Sequence, residues 1–400
     1  MRIVIVGAGV AGCVMARQLS RLAGVEVICL ERVARDDHSE AGTGLNVGPN
    51  AVKALKLVDP ALAAAITQAS FPWTTWRISL TDSTELFNLK LKDVAEGPGW
   101  RIRWSELYRV LRDAAGASMQ YACEISEIGR DVNHPRKTTI TWTQNGKTQR
   151  IDDIDLLIAA DGRYSRVRRA MSGEPQVRQT GVAISRVLVE DTSNGLIDDY
   201  EQWFNGPNRL LAFRVPPGHI YIACAFPISP DADVPPHLKT PEALRAAYTP
   251  LSAPPSAQAA WMIDQVCANV ADTHWARMQE HDALYHADGC NVLYLGDAAH
   301  GMVPTLGQGA TQAIEDASVA AALIAQRHAS GQLDVISWLE DIAALREQRM
   351  RFVMELSLAA TDTMLEGADP VEGTRHKAEA PFINHLKALY NDVGLPLKSD

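Results

Sequence analysis

The sequence predicts an α/β fold: a Rossmann-like dinucleotide-binding domain of the GxGxxG type, an inserted, mostly antiparallel β-sheet domain, and a C-terminal helical segment. Three observations predict it. A β-branched run at residues 2–6 enters a glycine turn, then helical spacing, then a second strand-like run. Two later apolar runs, near residues 156 and 292, also end in glycine-containing turns that open helices. Between them, residues 182–226 carry the alternating or β-branched runs of antiparallel strands.

Residues 2–6 fit a strand buried on both faces. They lead into Gly7-Ala8-Gly9-Val10-Ala11-Gly12, helical spacing over residues 13–22, and a strand at 25–30 that ends at Glu31. Gly7 permits the tight turn, Gly9 lets a pyrophosphate approach the backbone, and Gly12 lets the helix pack on the strand. The helix start, with Val10 and Ala11, supplies N–H groups and a positive dipole end. Glu31, with Arg32 beside it, would accept hydrogen bonds from an adenosine ribose. The motif alone does not separate FAD from NAD.

The run at 155–159 ends in Asp161-Gly162 and a basic helix start, which taken alone is also an ordinary Asp-Gly turn. The run at 291–295 delivers Gly296, whose missing side chain allows close ligand approach, and Asp297, whose carboxylate can hold a sugar hydroxyl. After Pro304, the turn Gly307-Gln308-Gly309-Ala310 opens a small-residue helix over 311–328, so its first N–H groups face an electron-rich group.

Strands are expected at 75–80, 85–91, 182–189, 200–204, 209–215 and 219–226, joined in one sheet. That sheet would offer Arg186, Trp203, Phe213, Arg214, His219 and Tyr221 to a pocket, facing Asn46, Met302 and Pro304. Packing or solvation is the plain alternative for each. The Pro-rich stretch 227–255 and the charge-free stretch 246–263 read as loops. Residues 335–365 read as an amphipathic helix whose charges, among them Glu340, Asp341, Arg346, Glu347, Arg349 and Arg351, form a solvated face, and a short helix follows at 383–391.

Composition narrows the function. With 46% apolar and 22% charged residues the 400-residue chain has the usage of an ordinary globular protein, not a disordered one. Thirty-eight basic against 48 acidic residues, net −10, disfavours phosphate-backbone binding, so no nucleic-acid partner is expected. Six scattered cysteines without a CxxC pair indicate neither a zinc site nor a dithiol, and no metal is expected. No membrane partner is expected, because Pro250, Pro254 and Pro255 interrupt the longest charge-free stretch. The expected location is the cytoplasm.

Taken together, the glycine turn with Glu31, Asp161-Gly162, Gly296-Asp297 with its proline and glycine-rich helix start, and the loop Gly44-Leu45-Asn46-Val47-Gly48-Pro49-Asn50 resemble the single-component aromatic-ring hydroxylases. These are flavoprotein monooxygenases of the para-hydroxybenzoate and salicylate hydroxylase type, and the Gly-Pro-Asn loop resembles those acting on 6-hydroxynicotinate-like acids. The resemblance spans about residues 1–350. It implies bound FAD: Gly7, Gly9 and Gly12 at the pyrophosphate, Glu31 at the adenosine ribose, and Asp297 at the ribitol or its phosphate. It implies the helix start at Gly307–Ala310 near flavin N1 and the C2 carbonyl, and Asp161 with Gly162 between FAD and a visiting NADH or NADPH. Further, it implies a discontinuous FAD-binding domain (1–70, 100–176, 285–334), a substrate domain (71–99, 177–284) and a helical segment (335–400). Two cationic family positions differ, carrying Glu40, two residues before Gly42, and Trp104; Arg101 and Arg103 are near enough to substitute. The implied reaction is NAD(P)H- and O2-dependent hydroxylation of a small aromatic or heteroaromatic ring through a flavin C4a-hydroperoxide. Asn46, Arg186, Phe213, Arg214, Tyr221 and Pro304 would hold the substrate, and His300 or Tyr221 would serve as base. The alternatives are a flavin-dependent dehydrogenase of the same fold and a catalytically silent nucleotide-binding module. The assembly expected is a monomer or homodimer.

Overall fold

The computed structural model describes residues 1–37 and 43–396. Glu40 and Gly42 lie outside the described residues. A five-stranded parallel sheet runs in the order Val292–Tyr294, Leu156–Ala159, Arg2–Val6, Glu26–Leu30, Met119–Gln120. Segments far apart in sequence therefore share one sheet, and side chains alternate across it. Ile3, Ile5, Leu156, Ile158 and Leu293 pack under the helices Val10–Leu19 and Gln308–Ala329. Val4, Val6, Leu157, Ala159 and Tyr294 face the opposite core.

The seven-stranded sheet runs in the order His274–His281, Val177–Glu190, His219–Pro227, Asn208–Val215, Tyr200–Asn205, Thr75–Leu80, Glu85–Lys90. Its pairs are antiparallel except Tyr200–Asn205 with Thr75–Leu80, which is parallel. A small antiparallel sheet of Gly44–Val47, Gly99–Arg103 and Phe71–Trp73 includes the segment expected as a loop before the second helix.

Three expectations change. The stretch expected to be loop contains the helix Pro241–Tyr248 and most of the helix Ala257–Ala268, capped by the Thr240 and Ser256 hydroxyls. Pro241 stands at a helix start, where its missing N–H costs nothing, so it begins a helix instead of breaking one. Leu244, Tyr248, Met262 and Ile263 cover the outer face of the large sheet. A further antiparallel sheet of Cys123–Arg130, Thr138–Gln144 and Lys147–Ile154 had no expected counterpart, although Asn145-Gly146, both at positive φ, is a strong hairpin signal. The charges of helix Val335–Ala359 are not all solvated: Arg346 is wholly buried and the Arg349 side chain is 10% exposed.

Candidate cofactor and substrate site

The strand Arg2–Val6 delivers Gly7 at φ +93, where a Cβ would meet the Ala160 carbonyl oxygen at 2.4 Å. At Gly12 a Cβ would lie 1.9 Å from the Gly7 carbonyl oxygen. Gly9 differs: its nearest obstacle is 3.8 Å away, so its surface is open. Gly9 also caps helix Val10–Leu19 without a side-chain hydrogen bond, leaving the first N–H groups unpaired and aimed outward. Glu31 is buried at the end of its strand and accepts hydrogen bonds from the Ala8 N–H (2.6 Å) and the Val33 N–H (3.0 Å). It fixes the turn from behind while lining the space in front.

That space is double. A cavity of about 620 Å³ is lined by Gly7, Gly9, Glu31, Arg32, Asp161 and Gly162, among others. A second, of about 300 Å³, is lined by Gly9, Val10, Ala11, Gly296, Asp297, Gly307, Gly309 and Ala310 on one side. Gly9, Tyr108, Ala160, Gly162 and Arg163 line both, so the two form one channel along the carboxyl ends of the parallel strands. This is where open α/β sheets bind ligands.

The Asp161 carboxylate accepts from the Ser165 hydroxyl (2.5 Å) and from the N–H groups of Arg166 (2.7 Å) and Val167 (3.2 Å), and burial raises its pKa. Gly296 (φ +58) donates its N–H to Asp316 at 3.0 Å, which holds the Gly296-Asp297 turn against helix Gln308–Ala329. Gly307 caps that helix in the left-handed region at φ +65, and a Cβ there would strike the Asn46 amide at 2.7 Å. The Asn46 Nδ2 is buried without a partner. The Gln308 side chain turns away, bonding Asn50 (3.2 Å) and Gln312 (3.0 Å), so only its backbone belongs to the helix end facing the channel.

The outer wall of the smaller cavity comes from the large sheet: Ile184 and Arg186, Arg209 and Leu211, Tyr221 and Ala223, with Tyr200 beside them and Met302 and Pro304 opposite. Arg209 is 4% exposed, its Nε has no partner, and it makes no ion pair among the described residues. Burial lowers its pKa, and the neighbours that raise it are tyrosines and a cysteine, not carboxylates. The Arg186 Nε is likewise buried without a partner. Burial raises the Tyr221 pKa against the pull of Arg186 and Arg209, so its phenol stays protonated at neutral pH.

Sequence reasoning missed Arg209 and Tyr200. Strand parity was the available signal, because Arg209 and Leu211 share the face of Phe213. Phe213 itself is fully buried behind the wall, with ring centroids 5.8 Å from Tyr200 and 4.9 Å from Tyr221. Arg214 points to the other side of the strand, pairing with Asp191 at 2.8 Å and lying over Phe71. Trp203 packs among the residues under the covering helices, and half-buried His219 lines neither cavity. His300 is withdrawn as a base at the substrate: it is 0% exposed, lines neither cavity and bonds Asp316 through Nε2 at 2.7 Å. Arg103 lines neither cavity, and Arg101 is committed to Asp199 (3.3 Å) and the Pro72 carbonyl (3.1 Å), so neither takes the place of the cation absent at Trp104. Among the described residues there is no helix long and apolar enough to cross a membrane, and no cluster of three metal-ligating side chains.

Known proteins resemble this chain over most of its length. Residues 1–335 match the FAD binding domain family. The 3-amino-4-hydroxybenzoate 2-monooxygenase of Streptomyces cremeus is 27% identical over 415 aligned positions, covering 100% of this chain and 98% of its own. The salicylate hydroxylase of Pseudomonas putida is 29% identical, covering 94% of this chain and 89% of its own. The crystal structure of Klebsiella pneumoniae HpxO complexed with FAD and uric acid superposes with a TM-score of 0.80 at 22% identity, over 100% of this chain and 98% of that one. Gly9 stands open in the very turn where Gly7 and Gly12 admit no side chain, and by the match through residue 335 together with the likeness to these named aromatic monooxygenases the chain belongs to the FAD-dependent aromatic hydroxylase family.

Proposed function

We propose that this enzyme uses NADH or NADPH and O2 to hydroxylate a small anionic aromatic or N-heteroaromatic ring bearing a hydroxyl or amino group. The observation that carries the substrate class is Arg209, a buried guanidinium without an acidic partner on the wall of the smaller cavity. A buried charge is costly unless it is paired, so the cavity selects a ligand that brings the missing anion. Salicylate and 3-amino-4-hydroxybenzoate, the acids in the names of the Pseudomonas and Streptomyces relatives, are rings of this class.

The fit to FAD rests on the open surface at Gly9, the uncapped helix start and the orphaned Asn46 amide. Gly7, Gly9, Val10, Ala11 and Gly12 would hold the pyrophosphate, and Glu31 and Arg32 the adenosine end. Asp297 would take the ribitol, Asp161 and Gly162 the passage between the cavities. The helix start at Gly307–Ala310 would offer its N–H groups to the negative charge that a reduced flavin carries. Bound FAD supplies the reduction of dioxygen and the delivery of one oxygen atom to the ring. The protein does the rest. Arg209 and Arg186 orient the anion and favour an ionised, electron-rich ring without a side-chain base, while protonated Tyr221 donates a hydrogen bond to it. The apolar wall of Ile184, Leu211 and Ala223 excludes water.

The test is to follow NAD(P)H and O2 consumption by the flavin-loaded protein, identified by its absorbance near about 450 nm, across hydroxylated aromatic acids and their neutral amides. Arg209→Gln should raise KM for the acids at least about tenfold and leave the amides unchanged. Equal losses for acid and amide would refute the anion assignment. Substrate turnover without O2 would instead indicate the dehydrogenase, and no turnover of any ring the silent module.

A further inference from the structure

Helix Trp104–Ala115 places Trp104, Tyr108 and Arg112 four residues apart on one face. The Trp104 and Tyr108 rings are 5.2 Å apart, and the Arg112 guanidinium lies 5.0 Å from the Tyr108 ring centre. Both rings line the smaller cavity; Tyr108 and Arg112 line the larger. The ladder thus runs along the channel from one chamber to the other.

At its lower end Arg112 is 8% exposed, its Nε directed at the Ala8 carbonyl at 3.5 Å, inside the glycine turn. Its Nη1 is buried without a partner, and it makes no ion pair among the described residues. Glu31, on the same cavity, gives its oxygens to the Ala8 and Val33 N–H groups. Other arginines of this chamber are engaged: Arg163 with the Met302 carbonyl, Arg166 with the Ile125 carbonyl, Arg169 with Glu174. A buried guanidinium without an ion pair on the larger chamber and the free N–H groups of the helix start, whose Val10 and Ala11 line the smaller, thus meet where Gly9 lines both, and both call for an anion with several oxygens.

We propose that Arg112 is the cation that binds the FAD diphosphate in this chain, two helical turns along the face from Trp104, with the Trp104–Tyr108 stack as its apolar flank. This rests on the family's FAD, not on the choice of substrate. The residue is then a binding group whose charge is uncompensated in the apoprotein and satisfied in the holoprotein.

The experiment compares full-length wild type, Arg112→Met and Arg112→Lys. FAD, ADP and riboflavin binding to the apoprotein are titrated, and thermal unfolding is followed with and without FAD. Arg112→Met should weaken FAD and ADP binding in parallel, about ten- to a hundredfold, and leave riboflavin binding unchanged. The melting temperature of its apoprotein should stay level or rise, because an unpaired buried charge has been removed. Arg112→Lys should recover part of the ADP affinity. FAD affinity within about twofold of wild type would overturn the proposal, as would equal losses for riboflavin. An Arg112→Met apoprotein that melts lower or fails to fold would make Arg112 a structural residue and overturn it. A wild type that takes up neither FAD nor ADP would overturn the cofactor itself, whatever its behaviour towards aromatic rings.

Discussion

Replacing Arg346 by Met tests how the Gly296-Asp297 turn is held. Arg346, at 0% exposure, donates to Asp316 (Nε, 2.8 Å), Glu315 (Nη1, 2.6 Å) and the Gln312 amide oxygen (Nη2, 2.6 Å). Breaking a buried ion pair from one side costs about 3–5 kcal/mol, because the partner is left charged and dry. Here both carboxylates keep a second cationic or polar partner. Glu315 retains Arg349 at 2.9 Å, while Asp316 retains His300 at 2.7 Å and the Gly296 N–H at 3.0 Å. That places the loss near the lower limit, about 3 kcal/mol, with about 1 kcal/mol more for the orphaned Gln312 oxygen. Against a total stability of about 5–15 kcal/mol this is a large fraction. Urea unfolding of the apoprotein should show it as a lower midpoint. A double-mutant cycle with Asp316→Asn should show at least about 1 kcal/mol of coupling. FAD retention should fall as well, because Asp316 fixes the Gly296-Asp297 turn. A loss under about 1 kcal/mol, or strict additivity, would refute the reasoning.

Further outcomes follow from the same geometry. Gly9→Ala, with 3.8 Å of clearance, should leave the apoprotein's melting temperature intact and weaken FAD binding, whereas Gly12→Ala, with its Cβ 1.9 Å from a backbone oxygen, should destabilise the apoprotein itself; unchanged FAD affinity in Gly9→Ala would mean the cofactor does not approach there. Asp297→Ala should lower FAD affinity by about 1.5–3 kcal/mol, the worth of a hydrogen bond to a charged group, in a fluorescence titration, and unchanged retention would mean that Asp297 does not hold the ribitol. Asp59, capping helix Pro60–Gln68, is subject to burial that opposes ionisation, yet Arg17, the Leu62 N–H and Gln18 hold its pKa down to about 2. A folded-state pKa below the unfolded value gives stability that is complete above about pH 4 and lost as pH falls towards 2, about 2 kcal/mol for this group. Asp59→Asn should therefore flatten the acid limb of stability, and an unaltered limb in a pH series of urea midpoints would count against the assignment.

The proposed cofactor cradle was legible because each part is a few consecutive residues whose backbone would do the work. Gly7, Gly9 to Ala11, Asp161-Gly162, Gly296-Asp297, Gly307, Gly309 and Ala310 reach the channel, whereas Gly12 packs behind the turn and Gln308 turns away. Six of the seven strands of the large sheet were legible from their two-residue period, His274–His281 being the exception, but the period states only that two faces exist. Phe213 and Arg214 were both plausible from the sequence; the structure sends one behind the wall and the other to the opposite face.

What the sequence by itself determined is the set of turns proposed to hold the nucleotide, since glycine turns, strand ends and helix starts are local. Tertiary structure alone decided the outer wall of the smaller cavity and the buried charges. Arg186, Arg209 and Tyr221 come from three strands and meet only when the sheet is assembled. His300 and Arg346 look like surface or catalytic groups until Asp316 and Glu315 on helix Gln308–Ala329 receive them in the core. The physical reason is that burying a charge is permitted only by a partner, and a partner distant in sequence is supplied by the fold.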